Sequence, residues 1–571
     1  MSKPGQTRTL ALLRSVRSAR IAKGIHRGLR GLASAGANRD NPGARADQAC
    51  LSMSAPREIE LKFEVPANAL SHLGRSPLLK GAMKGSGKPA SLVSVYFDTD
   101  KLKLRDNGLS LRVRRVGATR LQTIKQEAAQ NGPLFDRDEW EREIPGTEPD
   151  FDAARDTALE PLLSKKLRRA LKPVFKTRVE RTVYPVRSNG SEIELTIDKG
   201  KVEAGRQSEP LCEVELELKR GETAELFRIA RELAAEIPVQ LAVKSKAERG
   251  YALITGEKIK AIKSVPVALG PDMTRQAAFG AIARSCLHQL VANRPAVEAG
   301  DPEGVHQMRV ALRRVRAAIS LFSDMLSGPQ TDAIKAEFKW LTGELAPARE
   351  LDVFINQVLK PVSRGKPNGP GLSLLTRDLR KRRDMAFARA LAAIESARFR
   401  ALALDAAAWI EAGEWTRLEN ESLRKRSIAA AAAEDLHRRR KKVLKRGKHI
   451  EKLDPKRRHK LRIRTKKLRY ASEFFTGAFP GKKSARRRQK FGTSLEKLQD
   501  ALGDLNDIAV HAGLAEWLVN GLDEGGARSR HASEAFVAGR LSGHEEARTE
   551  TVLADAQRAY AAFAREKPFW L

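Results

Sequence analysis

Only three of the 571 residues are cysteine, Cys50, Cys212 and Cys286. They lie far apart, which excludes a disulfide scaffold and a cysteine-based zinc site, and fits a reducing cytoplasm. Aromatic residues make up only 5% of the chain. Proteins that stack single-stranded nucleic acid need aromatic platforms, so a nucleic-acid partner is disfavoured. No uninterrupted apolar run is long enough to cross a bilayer, and 31% of residues are charged, so a membrane-spanning chain is excluded. Acidic side chains are also short in number, 70 against 106 Lys and Arg, a net charge of +36. Such an excess calls for a polyanionic partner, whether nucleic acid, an acidic surface or a chain of phosphates.

The excess is unevenly spread. Residues 1–52 carry 10 basic and 2 acidic residues, residues 53–270 carry 39 and 32, and residues 271–571 carry 57 and 36. The first segment has no acidic residue before Asp40, and it is expected to be a disordered basic extension or to precede a natural start at Met53. From Arg57 to about Tyr251 the apolar residues recur with period two, punctuated by turn signals such as Asp106-Asn107-Gly108 and Asn189-Gly190. This half reads as mainly β. From Met273 the chain is rich in Ala, Leu and Arg at helical spacing. That half reads as all α. The expected division is residues 56–257 for the β domain, 258–271 for a linker containing Ser264-Val265-Pro266 and Gly270-Pro271, and 272–571 for the helical domain.

The strands carry acids and bases on one face. In Glu58-Ile59-Glu60-Leu61-Lys62-Phe63 the alternation sets Glu58, Glu60 and Lys62 opposite Ile59, Leu61 and Phe63. Arg112 and Arg114 share a face, Lys125 follows, and Glu139-Trp140-Glu141-Arg142-Glu143 offers three carboxylates. Glu192 to Asp198 and Glu213-Val214-Glu215-Leu216-Glu217 repeat the pattern, and Lys244 and Lys246 are expected to share a face near its end. A half-buried sheet with one wet face would alternate in the same way. Like charges at i, i+2 and i+4, as in Glu213, Glu215 and Glu217, nevertheless repel one another unless a cation neutralises them. Mixed carboxylate and Arg/Lys clusters suit a complex of a divalent metal with polyphosphate, and closing such strands into a barrel would make a lined tunnel.

This ordered set, from Glu58-x-Glu60-x-Lys62 through Tyr96-Phe97-Asp98-Thr99, Leu111 to Arg114, Ile193 to Gly200 and Glu213 to Lys219 to Lys244-Ser245-Lys246 and Arg249-Gly250-Tyr251, resembles the CYTH domain of the triphosphate tunnel metalloenzymes. The resemblance implies an eight-stranded antiparallel β-barrel whose tunnel binds triphosphate and divalent metal, Mg²⁺ or Mn²⁺. It also implies metal-binding roles for Glu58, Glu60, Glu213, Glu215 and Glu217, with Asp198 a further candidate. Phosphate-binding roles would fall to Lys62, Arg112, Arg114, Lys125, Arg178, Arg181, Lys244 and Lys246, and Glu58, Glu60 and Lys62 would form the catalytic signature. Arg178 and Arg181 stand three apart and cannot share a face of one regular strand without a bulge.

The second half contains an internal repeat. His306 to Phe322 aligns without gaps onto His459 to Phe475, and Leu345 to Glu350 matches Leu502 to Asp507, so two related helical bundles are expected. At about 100° per residue, His306, Arg309, Arg313 and Arg316 fall within roughly an 80° arc, as do His459, Arg462, Lys466 and Arg469. A solvated helix face is the ordinary source of a charge run. A salt-bridged face, however, would carry acids at i+4, and the first helix has none between His306 and Phe322, the second only Glu473. The paired His-x-x-Arg helices resemble the CHAD domain, which implies binding of inorganic polyphosphate through these eight residues. Glu350 stands where that family commonly has Asp. The run His437 to Lys448 lies outside the aligned copies and reads as a solvated or flexible basic segment.

The fold class expected is therefore α+β, an eight-stranded antiparallel barrel followed by two repeated helical bundles. The expected activity is metal-dependent hydrolysis of inorganic triphosphate, with the helical half holding polyphosphate and the protein cytoplasmic, at polyphosphate granules. The alternatives are a tunnel enzyme acting on thiamine triphosphate or nucleoside triphosphates, and a non-enzymatic polyphosphate scaffold. Against the scaffold, Glu213, Glu215 and Glu217 on one face would repel phosphate if no metal were present.

Overall fold

In the computed structural model, alternation becomes a barrel turned inside out. The structure describes residues 57–73, 76, 79, 89–126, 132, 134–356, 370–417, 421–520 and 528–571, and the basic segment 1–52 lies outside them. The strands are β1 (Arg57–Glu64), β2 (Ala90–Asp98), β3 (Leu109–Val116), β4 (Thr119–Gln126), β5 (Leu134–Glu143), β6 (Lys172–Ser188), β7 (Ser191–Ala204), β8 (Gln207–Arg220) and the short β9 (Gln240–Leu241). All pair antiparallel in the order β5-β4-β3-β2-β6-β7-β8-β1, and β5 pairs with β1 to close an eight-stranded barrel, with β9 added on β1. Asn189-Gly190 forms the two-residue turn between β6 and β7, with both residues at positive φ, the conformation that favours glycine and asparagine.

The apolar face of each strand points outward and is covered. Leu61 and Phe63 of β1, Ile193 and Leu195 of β7, and Val214 and Leu216 of β8 are buried against Leu226, Phe227, Ile229, Ala230 and Leu233 of α1 (Thr223–Glu236). A separate cluster of Phe97, Leu111, Val113, Ile124, Leu159 and Leu167 covers β2 to β4. The charged face points into the bore. One part of the bore is apolar, with Leu92, Tyr96, Phe175, Val179, Val202 and Leu211 packed against Ala247 and Tyr251 of α2 (Lys246–Thr255). Gly250 of α2 is required there, since a Cβ would stand 2.1 Å from the Phe175 ring.

Residues 257–270 carry no regular secondary structure, and the described residues that follow are mainly helical. Numbering helices of ten residues or more, these are α3 (Arg275–Ala292), α4 (Pro302–Leu321), α5 (Pro329–Phe354), α6 (Pro370–Glu395), α7 (Ala397–Ala412), α8 (Ile428–Gly447), α9 (Pro455–Phe474), α10 (Lys482–Asn520) and α11 (Arg528–Arg565). Helix α3 is buried almost all round, as a central helix must be. One continuous hydrophobic core joins the outer face of the barrel to these helices, and residues 55–571 form a single unit. Among the described residues no helix is long and apolar enough to cross a membrane.

The sequence repeat is a structural repeat. Helices α4 and α9 are both 20 residues long, capped by Asp301 and Asp454, with proline at the first position. Equivalent residues meet across the join. The Phe322 and Phe475 rings lie 6.1 Å apart; Arg314 pairs with Glu473, and its counterpart Lys467 donates to Ser320, the counterpart of Glu473, at 3.4 Å. His437 to Lys448, expected to be a solvated or flexible segment, lies mostly within α8 as a solvated helix face: His437, Arg438, Lys441, Lys442, Lys445, Arg446 and Lys448 are exposed, while Val443 is buried and Arg440 donates to the carbonyls of Ala564 and Glu566.

Candidate active site and cationic stripe

The charged bore forms a cavity of about 220 Å³. Its lining includes Glu58, Glu60, Lys62, Arg112, Arg114, Lys125, Glu215 and Glu217, as the alternation predicts, and Arg181 and Lys246, as the resemblance implies, together with Arg137, Glu139, Glu141, Glu194 and Lys219. Two charge clusters divide it. In one, Lys246 Nζ donates to Glu213 at 2.6 Å and Glu215 at 2.7 Å and lies 2.9 Å from Asp198. Arg181 grips both oxygens of Asp198 at 2.8 and 2.6 Å and reaches Glu215 at 3.0 Å, while Lys62 donates to Glu215 at 2.8 Å. In the other, Glu58 accepts from Lys125 at 2.7 and 2.9 Å and from Arg137 at 3.0 Å, and Arg137 also holds Glu60 at 2.6 Å.

Burial would by itself push these groups toward neutrality, but the paired charges win. Burial works to raise the Glu58 carboxyl, yet Lys125 and Arg137 hold it far below the usual range. Burial works to lower Lys62 and Lys246, yet the carboxylates around them push both up. Arg114 is the exception. Burial first, then Arg112 and Arg181 beside it, bring it down to about 10. Among the described residues it has no ion pair; its Nε donates to Ser94 Oγ at 3.3 Å. The neighbouring Arg112 Nε is buried without a hydrogen-bond acceptor. Arg112 lies 3.6 Å from Glu139 and Arg181 is paired with Asp198 and Glu215, so in this guanidinium corner it is Arg114 that lacks countercharge, the place a phosphate group satisfies.

Several expected site residues stand elsewhere. Arg178 lies on the outer face of β6, half exposed and paired with Glu203 at 3.0 Å, because only one of two residues three apart can face the bore. Lys244 is exposed in a bend before α2; β9 ends at Leu241, and Ser245 caps a helix, so Lys244 and Lys246 share no strand face. Asp198 and Glu213 are fully buried outside the cavity lining and reach it through Arg181 and Lys246. Arg137 was legible: it has the parity of Glu139 and Glu141, and extending that alternation by one step would have found it.

Among the described residues no three carboxylate, histidine or cysteine side chains converge closely enough to hold one ion. The donor chemistry fits a hard divalent cation all the same. Glu194, Glu217 and Glu60 stand directly opposite one another across β7, β8 and β1, a row of like charges that gains from a cation. Glu217 shows the strain: burial, offset in part by Lys219 and reinforced by Glu58 and Glu194, raises its carboxyl.

In the helical domain the two stripes form one basic surface. Arg309 Nη2 lies 3.7 Å from Glu350 on α5, and the equivalent Arg462 Nη2 lies 3.7 Å from Asp507 on α10. His459 shares a 2.6 Å hydrogen bond with Asn506, whereas His306 has Arg349 in the equivalent place and a buried Nδ1 without a partner. Arg469 donates to Gln499 at 2.6 Å, and Arg316 is exposed. Burial and then like charge push Arg309, Arg462 and Lys466 down, Lys466 to about 8, and Arg313 of α4 acts on all three.

Comparison with known proteins matches both halves. The CYTH domain family matches residues 56–251 and the CHAD domain family residues 281–516. The chain therefore carries a CYTH domain followed by a C-terminal CHAD domain. Over 162 residues it is 30% identical to an inorganic triphosphatase of Haemophilus influenzae, a match covering 28% of this chain and 46% of that protein, so the chain spans under half of that relative's length. The crystal structure of the CHAD domain from the plant Ricinus communis is similar at 28% identity and a TM-score of 0.46, covering 54% of this chain and 98% of that one. A Hippeastrum protein proposed as an adenylyl cyclase, with a dominant triphosphatase activity, is 18% identical at a TM-score of 0.27, covering 36% and 97%.

Proposed function

We propose that this chain hydrolyses inorganic triphosphate to pyrophosphate and phosphate inside the barrel and binds inorganic polyphosphate on the α4–α9 stripe. The observation that carries the reading is the guanidinium corner of Arg112, Arg114 and Arg181 beside a dense set of carboxylates in one closed bore. Phosphate oxygens would take the place of the missing countercharge at Arg114, and Lys62 and Lys125 would hold the rest of the chain of phosphates. Water adds to a terminal phosphorus, the bond to the bridging oxygen breaks, and pyrophosphate departs. Mg²⁺ or Mn²⁺, held by Glu58, Glu60, Glu215 and Glu217, would supply charge neutralisation at the phosphoryl oxygens and an activated water. Asp198 and Glu213 act from behind the wall, fixing Arg181 and Lys246 in place.

The stripe works differently, by direct charge. Its cations repel one another, so a polyanion lying along α4 and α9 relieves a cost already present in the fold. A cytoplasmic protein with this stripe would collect at polyphosphate granules. The deciding assay gives the full chain tripolyphosphate, ATP, thiamine triphosphate and long-chain polyphosphate, each with and without Mg²⁺ or Mn²⁺. Metal-dependent phosphate release from tripolyphosphate above all others is expected. Preference for an organic triphosphate would move the assignment within the tunnel enzymes, and no release with binding intact would leave a scaffold.

A further inference from the structure

The tunnel wall and the helical domain share a chain of ion pairs that crosses the boundary between them. Glu64, at the end of β1, stands directly opposite Glu213 of β8. Two opposed carboxylates repel, and Arg249 lies between them: its Nη2 donates to Glu64 at 2.6 Å, and its Nε lies 3.4 Å from Glu213. Lys246 and Arg249 are three apart on α2 and so share a face, and the other oxygen of Glu213 accepts from Lys246 at 2.6 Å. Glu213 thus holds α2 by a hydrogen bond from Lys246 and by a looser contact with Arg249, whose Nη1 also donates to Glu209 of β8 at 2.7 Å. The second oxygen of Glu64 accepts from Arg294 at 2.7 Å. Arg294 belongs to the helical domain, in the short helix Arg294–Glu298 that precedes α4.

We propose that Arg249 is a positioning residue for Lys246, and that Arg294 of the helical domain, acting through Glu64, helps to set how tightly the tunnel holds triphosphate. The inference rests on the triphosphate reading for its functional consequence and on the ion-pair chain for its structural one. Arg294 touches neither the cavity nor the stripe residues named above. If the chain is mechanical, loosening Arg294 frees Glu64, Arg249 turns toward the freed carboxylate, and Glu213 loses one of its two holds on α2. The first turn of α2, which presents Lys246 to the cavity, then moves more freely.

Two readouts on the full-length protein test this. Hydrogen exchange without ligand follows the amides of residues 246–251 in wild type, Arg294→Ala and Arg294→Lys. Faster exchange in Arg294→Ala, partly restored by lysine, is expected, and unchanged exchange overturns the proposal whatever the protein's substrate is. The KM for tripolyphosphate with Mg²⁺, which reports on the tunnel rather than on the stripe, supplies the second readout. Arg294→Ala should raise it about two- to fivefold, the range of a partly exposed ion pair. The double variant Arg249→Gln/Arg294→Ala should have a KM no higher than Arg249→Gln alone, because both act through one chain. Independent, additive increases would overturn the proposal. Absence of any tripolyphosphate hydrolysis by wild type with Mg²⁺ or Mn²⁺ would instead defeat the triphosphate reading and leave the exchange result to decide the chain.

Discussion

Tunnel and stripe are built from the same side chains and kept in opposite electrostatic condition. In the tunnel Lys62, Arg181 and Lys246 each meet two or three carboxylates, and these push them up against the effect of burial. In the stripe Arg309, Arg462 and Lys466 have at most one distant acid, and burial with mutual repulsion pushes them down. The first arrangement folds with its countercharge inside, so under the proposed function an anion would enter chiefly at the guanidinium corner and in company with a cation. The second folds short of countercharge, so an anion would be bound directly. The difference separates a site suited to chemistry from one suited to holding.

The most severe way to break the tunnel half of this comparison is Lys246→Met. It leaves Asp198, Glu213 and Glu215 buried with one cation fewer, and the expected loss is about 3–5 kcal/mol of unfolding free energy. Chemical denaturation measures it, and a loss near zero would show that Arg181 and Arg249 suffice.

Reversing the stripe should cost less and touch only binding. Arg309→Glu with Arg462→Glu should weaken long-chain polyphosphate roughly 10- to 100-fold in metal-free titrations, and the wild-type affinity should fall as salt rises, by the counterion release known for nucleic acids. Reversing the exposed Arg377 and Arg380 on α6 is the control. Equal losses in the two double variants would mean that the charge acts diffusely.

Arg114→Ala sharpens the contrast within the tunnel itself. Its guanidinium is repelled by Arg112 and Arg181, so its removal should leave the melting temperature unchanged or raised. The KM for tripolyphosphate should rise about tenfold, the worth of a charge-assisted hydrogen bond of about 1.5 kcal/mol. A fall in stability would show that Arg114 is held by the fold rather than kept for a ligand.

The smallest expected effect is at Lys466. The native state releases its proton near pH 8, the unfolded state near 10.5. Between those values the unfolded chain holds more protons, so this residue makes the fold more stable as pH rises through that window. Lys466→Met should raise the melting temperature by a degree or two at pH 7 and gain nothing above pH 10.5. An equal gain at both pH values would mean that packing, not charge, is responsible.

Much of this was legible because one period governs each half. Alternation put Glu58, Glu60 and Lys62, and likewise Arg112 and Arg114, on one strand face, the family resemblance turned that face, with Lys125, into the bore of a barrel, and helical spacing placed the stripe on α4 and α9. What alternation does not carry is where it stops. Lys244 was misplaced because β9 ends at Leu241, although Ser245-Lys246-Ala247-Glu248 already spells the capping box that starts α2. Asp198 and Glu213 have the right parity, but the depth at which a side chain meets the cavity depends on the apolar residues that fill part of the bore. The ion pairs from Arg249 through Glu64 to Arg294 join residues far apart in sequence and leave no local pattern.

Glu217 offers the most direct test of the central claim. Glu60 and Glu215 are each held by two or more cations, so neutralising them disturbs the fold as well as the site. Glu217 faces Glu60 and Glu194, its carboxyl is raised by burial and by neighbouring carboxylates, and its one cation, Lys219 at 2.7 Å, is half exposed, so Glu217→Gln should fold about as well as wild type. The measurement is phosphate release from tripolyphosphate with Mg²⁺ by wild type and Glu217→Gln at equal concentration. Release by wild type, reduced roughly 100-fold or more in the variant, is the predicted result. Equal release by the two proteins, or none by wild type with either Mg²⁺ or Mn²⁺, would contradict the account.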